Sequence, residues 1–254
     1  MTDLILHIPH ASTYIPEDCF PKDSKEYQIL SQDHPYMVDW YVDQLFDCGL
    51  GTAIIAPVSR MVCDTERFLD DSQEPMSRIG MGVCYQTTHD LKHHITITAT
   101  HRSYIVETYY KPHHQALQQA IDNSLSNKHL PILLDCHSFS PIPLPYEFDQ
   151  SPQRPDICLG TDALHTSPAL IAIVSDFFKR LGYTVQFNRP YAGALVPLKY
   201  LQTPQPLALM IEINRRLYLS PNSPTKLPTF STLSSQLQEL QQLLLSLPAQ
   251  DISN

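Results

Sequence analysis

Apolar residues along this chain gather in short β-branched runs separated by longer stretches with helical spacing. DLILHI at 3–8 is a compact apolar run that ends at Pro9, which reads as a buried strand. TAIIAPV at 52–58, PILLDCHSF at 131–139, YTVQFN at 183–188 and LALMIEIN at 207–214 read the same way. Between them, Val38, Tyr41, Val42, Leu45 and Phe46 recur at helical spacing in 34–49, with Gly49 as the stop. Residues 103–127 predict a long helix that Pro112 must kink or break. In 167–182, Ser167 caps, Pro168 suits the first turn and Gly182 terminates. An amphipathic helix over 231–247 closes the pattern. Residues 70–100 and 140–156 read as loops, and irregular stretches of such length often carry function.

Strands alternating with helices predict an α/β fold: a mixed, mainly parallel sheet flanked by helices, in a single domain spanning 1–254. No internal repeat or linker interrupts it. The 43% hydrophobic and 17% charged composition fits a packed globule. With a net charge of -9 and no Lys/Arg block, nucleic acid is an unexpected partner. No apolar run approaches the roughly 20 residues of a membrane span. The opening MTDLILHIPH lacks a signal-peptide pattern, and the six cysteines are scattered. The expectation is a reduced, cytoplasmic protein acting on a small molecule, with its oligomeric state undetermined.

Ligands of open α/β sheets bind beyond the carboxyl ends of the strands. The residues there are His7 and His10, then Arg60 and Asp64, then Asp135 and His137, and finally Glu212 with Arg215 and Arg216. Histidines and carboxylates supply catalytic zinc, which keeps one position open. A carboxylate nearby serves as general base and acid, and an arginine grips a carboxylate through two hydrogen bonds. No HExxH or other compact ligand motif is present. Cys136 and Ser138 flank His137 but have no adjacent base, so no covalent nucleophile is expected.

At these same residues the chain resembles the N-formylglutamate amidohydrolase (deformylase) family. The resemblance is carried by PHAS at 9–12, DWYVDQLF at 39–46, SRMVCDTER at 59–67, LLDCHS at 133–138, LGT at 159–161, NRPYAGA at 188–194 and IEINRRLYL at 211–219. It implies a zinc-carboxypeptidase-like (phosphorylase/hydrolase-like) fold with an eight-stranded sheet. It also implies one Zn2+ per chain on His10, Asp39 and His137, with Glu212 as general base. Arg60 or Arg67 would polarise the scissile carbonyl or anchor a substrate carboxylate, and Asn188, Arg189, Gly193 and His114 would contact substrate. The reaction implied is N-formyl-L-glutamate plus water to formate and L-glutamate. Thr65-Glu66 departs from the family's Leu-Asn, and 70–100 does not align.

Each residue also has a plainer reading. His10 suits a turn histidine and Asp39 an acid at a helix start, with Asp33 an alternative ligand. Asp135 shares a strand face with His137 and suits a residue that orients a ligand. Glu212 suits a salt bridge to Arg215 or Arg216, and Arg60 and Arg67 suit surface ion pairs. Asn188, Arg189 and Gly193 suit turn chemistry, and His114 a solvated helix face. Other functions left open are the same zinc chemistry on another N-acyl amino acid or a short peptide, a non-catalytic binding protein on this fold, and an interaction protein.

Overall fold

The computed structural model describes residues 1–221 and 223–253. Its strands are β1 (Thr2–Ile8), β2 (Thr52–Ile55), β3 (Leu130–Phe139), β4 (Ile157–Gly160), β5 (Val185–Phe187) and β6 (Leu207–Asn214). They form one sheet in the order β2-β1-β3-β6-β4-β5. Every pairing is parallel except β4 with β6, so the sheet is mixed and mainly parallel, as the alternation predicts. Six strands are present among the described residues, against the eight that the resemblance implies. β4, whose ICLG directly follows the Pro-rich loop at 140–156, is a strand that the sequence reading does not include.

The helices are α1 (Lys25–Met37), α2 (Val42–Phe46), α3 (Ala99–Ile105), α4 (Lys111–Ser126), α5 (Pro168–Arg180), α6 (Thr229–Ser246) and α7 (Ala249–Ser253). Alternate strand residues point to opposite faces. Leu4, Leu6, Ile132, Leu134, Leu209 and Ile211 therefore share one face, where they pack on α2, α5, α6 and α7. The stripe Leu233, Leu237, Leu240 and Leu244 of α6 supplies much of that layer. Ile5, Leu133 and Ala208 point the other way, onto Leu117 and Ile121 of α4.

Two predicted helices are corrected. Instead of one helix over 34–49, α1 starts at Lys25, where the Ser24 hydroxyl accepts a hydrogen bond from Tyr27 N at 3.1 Å. The chain leaves helical geometry at Val38, and Tyr41 is left-handed at φ 63. The resulting turn holds Asp39, whose N–H donates to His10 O at 2.9 Å. The helix over 103–127 is divided by a π-helical turn at Val106–Tyr110. That turn places Pro112, which lacks an N–H, in the first turn of α4, where no donor is needed. The irregular stretch at 70–98 is no open loop: Met81, Val83, Tyr85 and Ile95 are buried in a second core with Leu30 and Met37 of α1.

Candidate active site

The face that packs on α4 turns polar toward the carboxyl ends of β1, β3 and β6. After Leu133, the same alternation brings Asp135 and His137 onto it. Register sets His7 opposite Asp135 and His137 opposite Glu212 on neighbouring strands. Three adjacent parallel strands therefore deliver two histidines and two carboxylates to one edge, and His10 follows just beyond β1.

His137 is buried among carboxylates. Its Nε2 lies 3.0 Å from Glu66 Oε1 and 3.0 Å from Asp135 Oδ1, and its Nδ1 lies 3.2 Å from Asp39 Oδ2. Burial alone would lower its pKa, but Glu66, Asp135 and Asp39 raise it well above the usual value. His10 stands beside it, with ring centroids 5.0 Å apart. His10 Nε2 is 2.9 Å from Asp64 Oδ1 and 3.5 Å from Glu66 Oε2. Its Nδ1 is buried, 3.7 Å from Asp39 Oδ2 and without a hydrogen-bond partner among the described residues. Behind His137, Asp135 also accepts from His7 Nδ1 at 2.7 Å, and His7 Nε2 meets His113 Nε2 at 2.9 Å.

The arginines are anchored from below. Asp64 has no exposed surface and takes Arg60 Nη2 at 3.0 Å, the Tyr85 hydroxyl at 2.7 Å and Arg67 Nε at 3.4 Å. Against the burial that would raise its pKa, His10, Arg67 and Arg60 hold Asp64 ionised. Asp39 is held the same way by His10, His137 and Arg215, whose Nη2 donates to Asp39 Oδ1 at 2.9 Å. Neither of the two candidate partners reaches Glu212: Arg215 goes to Asp39, and Arg216 to Asp156 at 2.8 Å. Glu212 Oε2 is buried with no hydrogen-bond partner among the described residues, and burial pushes the carboxyl up to about 8. His10, Asp39, Arg60, Glu66, Arg67, Asp135, His137, Glu212 and Arg215 border a cavity of about 730 Å³ that also reaches α4 and the segment 192–199, while His7, Asp64 and Tyr85 stand behind its lining.

Residues 2–219 match the N-formylglutamate amidohydrolase family. This chain belongs to that family. Among solved structures, the N-formylglutamate amidohydrolase from Ralstonia eutropha JMP134 is 25% identical and superposes with a TM-score of 0.80. The alignment covers 96% of this chain and 92% of that one. A gene product of Agrobacterium tumefaciens shares the fold at 19% identity and a TM-score of 0.69, over 96% of this chain and 91% of its own. No curated protein sequence matches the chain. The protein is thus an enzyme of the N-formylglutamate amidohydrolase family. No helix among the described residues is long and apolar enough to cross a membrane.

The residues expected of this family fall into two sets. His10, Asp39, His137, Glu212, Arg60, Arg67, His114 and Gly193 all border the cavity. His114 is half-buried rather than on a solvated helix face, and its Nε2 donates to Thr65 O at 2.8 Å. Asn188 and Arg189, expected to contact substrate, lie outside the lining of this cavity. Asn188 Oδ1 accepts from Thr161 N at 2.9 Å, tying the end of β5 to the end of β4, and Arg189 Nε donates to Asp149 at 2.8 Å. Gly193 is left-handed at φ 90, and the neighbouring chain is so close that a Cβ on Gly160 would collide with its carbonyl oxygen. Asp33 is 4% exposed and engages His89, both its backbone N at 2.9 Å and its ring, away from the cavity.

The residues fit a divalent cation. Among the described residues, His10, Glu66 and His137 offer ligand atoms within 4.8 Å of one another, and so do His7, Glu66 and Asp135. In the first group the Nε2 to Glu66 distances are 3.0 and 3.5 Å. Tetrahedral zinc with bonds of about 2.1 Å spaces its ligands by roughly 3.4 Å. Asp39 touches the same two rings on their Nδ1 edges, where an outer carboxylate orients ligating histidines. Asp64 and Arg215 are placed at the strand ends by the sequence, but their partnerships with Arg60, Arg67 and Asp39, and the part played by Tyr85, exist only once the chain folds.

Proposed function

We propose that this enzyme hydrolyses the N-acyl amide of a carboxylate-bearing amino acid with the help of one divalent cation, zinc being the first candidate. N-formyl-L-glutamate is the first substrate to try, because the R. eutropha relative is named for it. The observation that carries the reading is Glu212: a carboxyl group bordering the cavity near two histidines, with one buried oxygen that has no hydrogen-bond partner among the described residues. An unpaired buried carboxylate is costly, so its retention points to work rather than to packing.

His10 and His137 would hold the cation together with Glu66 on their Nε2 edge, and Asp39 would fix both rings from the Nδ1 edge. When bound, the cation supplies Lewis-acid polarisation and a lower pKa for a nearby water. Glu212 removes a proton from the attacking water, whose oxygen joins the acyl carbon. The same carboxyl then gives the proton to the leaving nitrogen as the C–N bond breaks. Microscopically this is one residue serving as base and then as acid. Arg60, fixed by Asp64 and Tyr85, faces the carbonyl oxygen, and Arg67 receives a substrate carboxylate. A positive local charge also favours the ionised form of Glu212, which its burial opposes. Release of amino acid from an N-acyl amino acid, abolished by Glu212→Gln with metal retained, tests the reading.

A further inference from the structure

Resting on that N-acyl amide reading, we infer that the cavity serves N-acyl amino acids with one carboxylate and an extended apolar group at least as well as it serves N-formylglutamate. Three observations carry this. The first is size. The cavity of about 730 Å³ lies in the range of sites for drug-sized ligands, far more room than a formyl group on a short dicarboxylic acid fills.

The second is the state of the cations. Five Lys and Arg side chains border the cavity, and each already faces a carboxylate. Arg60 and Arg67 share Asp64, Arg215 pairs with Asp39, Lys111 with Glu107 and Lys199 with Asp122. Arg67 makes the longest ion pair of the three arginines, at 3.4 Å, and its Nε has no hydrogen-bond partner among the described residues. It offers a place for one carboxylate; a second would have to compete for a cation that is already paired.

The third is the apolar part of the lining. Phe68, Leu69, Leu198 and Leu201 border the cavity with 48, 40, 77 and 41% of their surface exposed. Apolar side chains on a concave surface that continues into a catalytic centre gain by covering themselves with an apolar part of the ligand. A dicarboxylic acid with a formyl group has no such part. The reaction is unchanged: water adds to the acyl carbon, the C–N bond breaks and the proton goes to the amine, with no further reactant.

The apolar group can sit on the acyl side or on the amino-acid side, and the test separates them. Zinc-loaded protein is assayed for kcat/KM on N-formyl-L-glutamate, N-hexanoylglycine and N-formyl-L-phenylalanine. One of the two apolar substrates is expected to match or exceed N-formyl-L-glutamate. Leu198→Asp and Phe68→Ser should each lower the ratio of apolar to formylglutamate cleavage by about tenfold, the scale of a single methylene contact. Cleavage of N-formyl-L-glutamate alone would overturn this inference and leave the amide reading standing. Cleavage of none of the three would overturn the amide reading with it. Apolar preference unaltered in both variants would overturn the assignment of the wall.

Discussion

Glu212 stands in register beside His137 on the adjacent parallel strand, yet the imidazole directs its nitrogens to Asp39, Glu66 and Asp135 and none to Glu212. One residue of the pair is fixed by three carboxylates and the other is left with a buried oxygen unpartnered. That asymmetry separates a holding role from a reacting role.

The first prediction follows from it. Glu212→Gln preserves shape and burial but removes the proton acceptor. The hydrolysis rate should fall by roughly 10²–10⁴ while bound metal stays at the wild-type level. A rate within a few-fold of wild type would remove Glu212 from the chemistry.

The two carboxylates at the histidine edges should differ in metal affinity. Glu66→Gln is expected to weaken zinc binding, measured by competition with a chromogenic chelator, more than Asp39→Asn does. Only Glu66 joins both rings in a group with ligand atoms within 4.8 Å, whereas Asp39 is engaged by Arg215 and Ser138 N. Loss of an orienting carboxylate typically costs about 10–100-fold in affinity. The reverse order of the two variants would put the cation on the Nδ1 edge, with Asp39 as its ligand.

Asp64 should matter more to stability than its position in a loop suggests. It is the shared anchor of Arg60, Arg67 and His10 with no exposed surface. Asp64→Asn leaves two largely buried arginines short of their counter-charge, and breaking such a cluster costs about 3–5 kcal/mol. Urea unfolding of the variant measures it, and a loss below about 1 kcal/mol would show that the cluster relaxes.

A pH effect is expected away from the site. Burial lowers the His34 pKa from 6.5 to about 4, and its Nε2 has no hydrogen-bond partner. The unfolded chain therefore binds this proton at a higher pH than the folded one. The stability from neutral His34 is complete above 6.5 and is lost as pH falls from there to about 4, an effect on the order of 3 kcal/mol. His34→Leu should flatten the fall in melting temperature across that window. An identical fall in both proteins would assign it to other groups.

Much of this was legible in the sequence, and for identifiable reasons. β1, β3 and β6 are apolar runs long enough to read, so the residues at their ends, His10, His137 and Glu212, could be placed at one sheet edge. His7 was visible there too, but whether it meets Asp135 depends on a strand register that no local pattern states. Glu66 was noticed as a departure from the family and not as a neighbour of both histidines, because that contact joins positions 71 residues apart. Tyr85 sits in a stretch that reads as loop, and its burial comes from a second core that has no period. Asn188 and Arg189 share a family-like segment with Gly193 but lie outside the cavity lining, since their side chains are taken up by Thr161 and Asp149, distant positions that no local pattern connects to them.

The most direct test of the central claim is amino-acid release from N-acyl amino acids by purified protein, assayed zinc-loaded, after chelation and after zinc is returned. The account predicts about one zinc per chain, release that chelation abolishes and release that returning zinc restores. Release that is unchanged after the metal has been removed would contradict it.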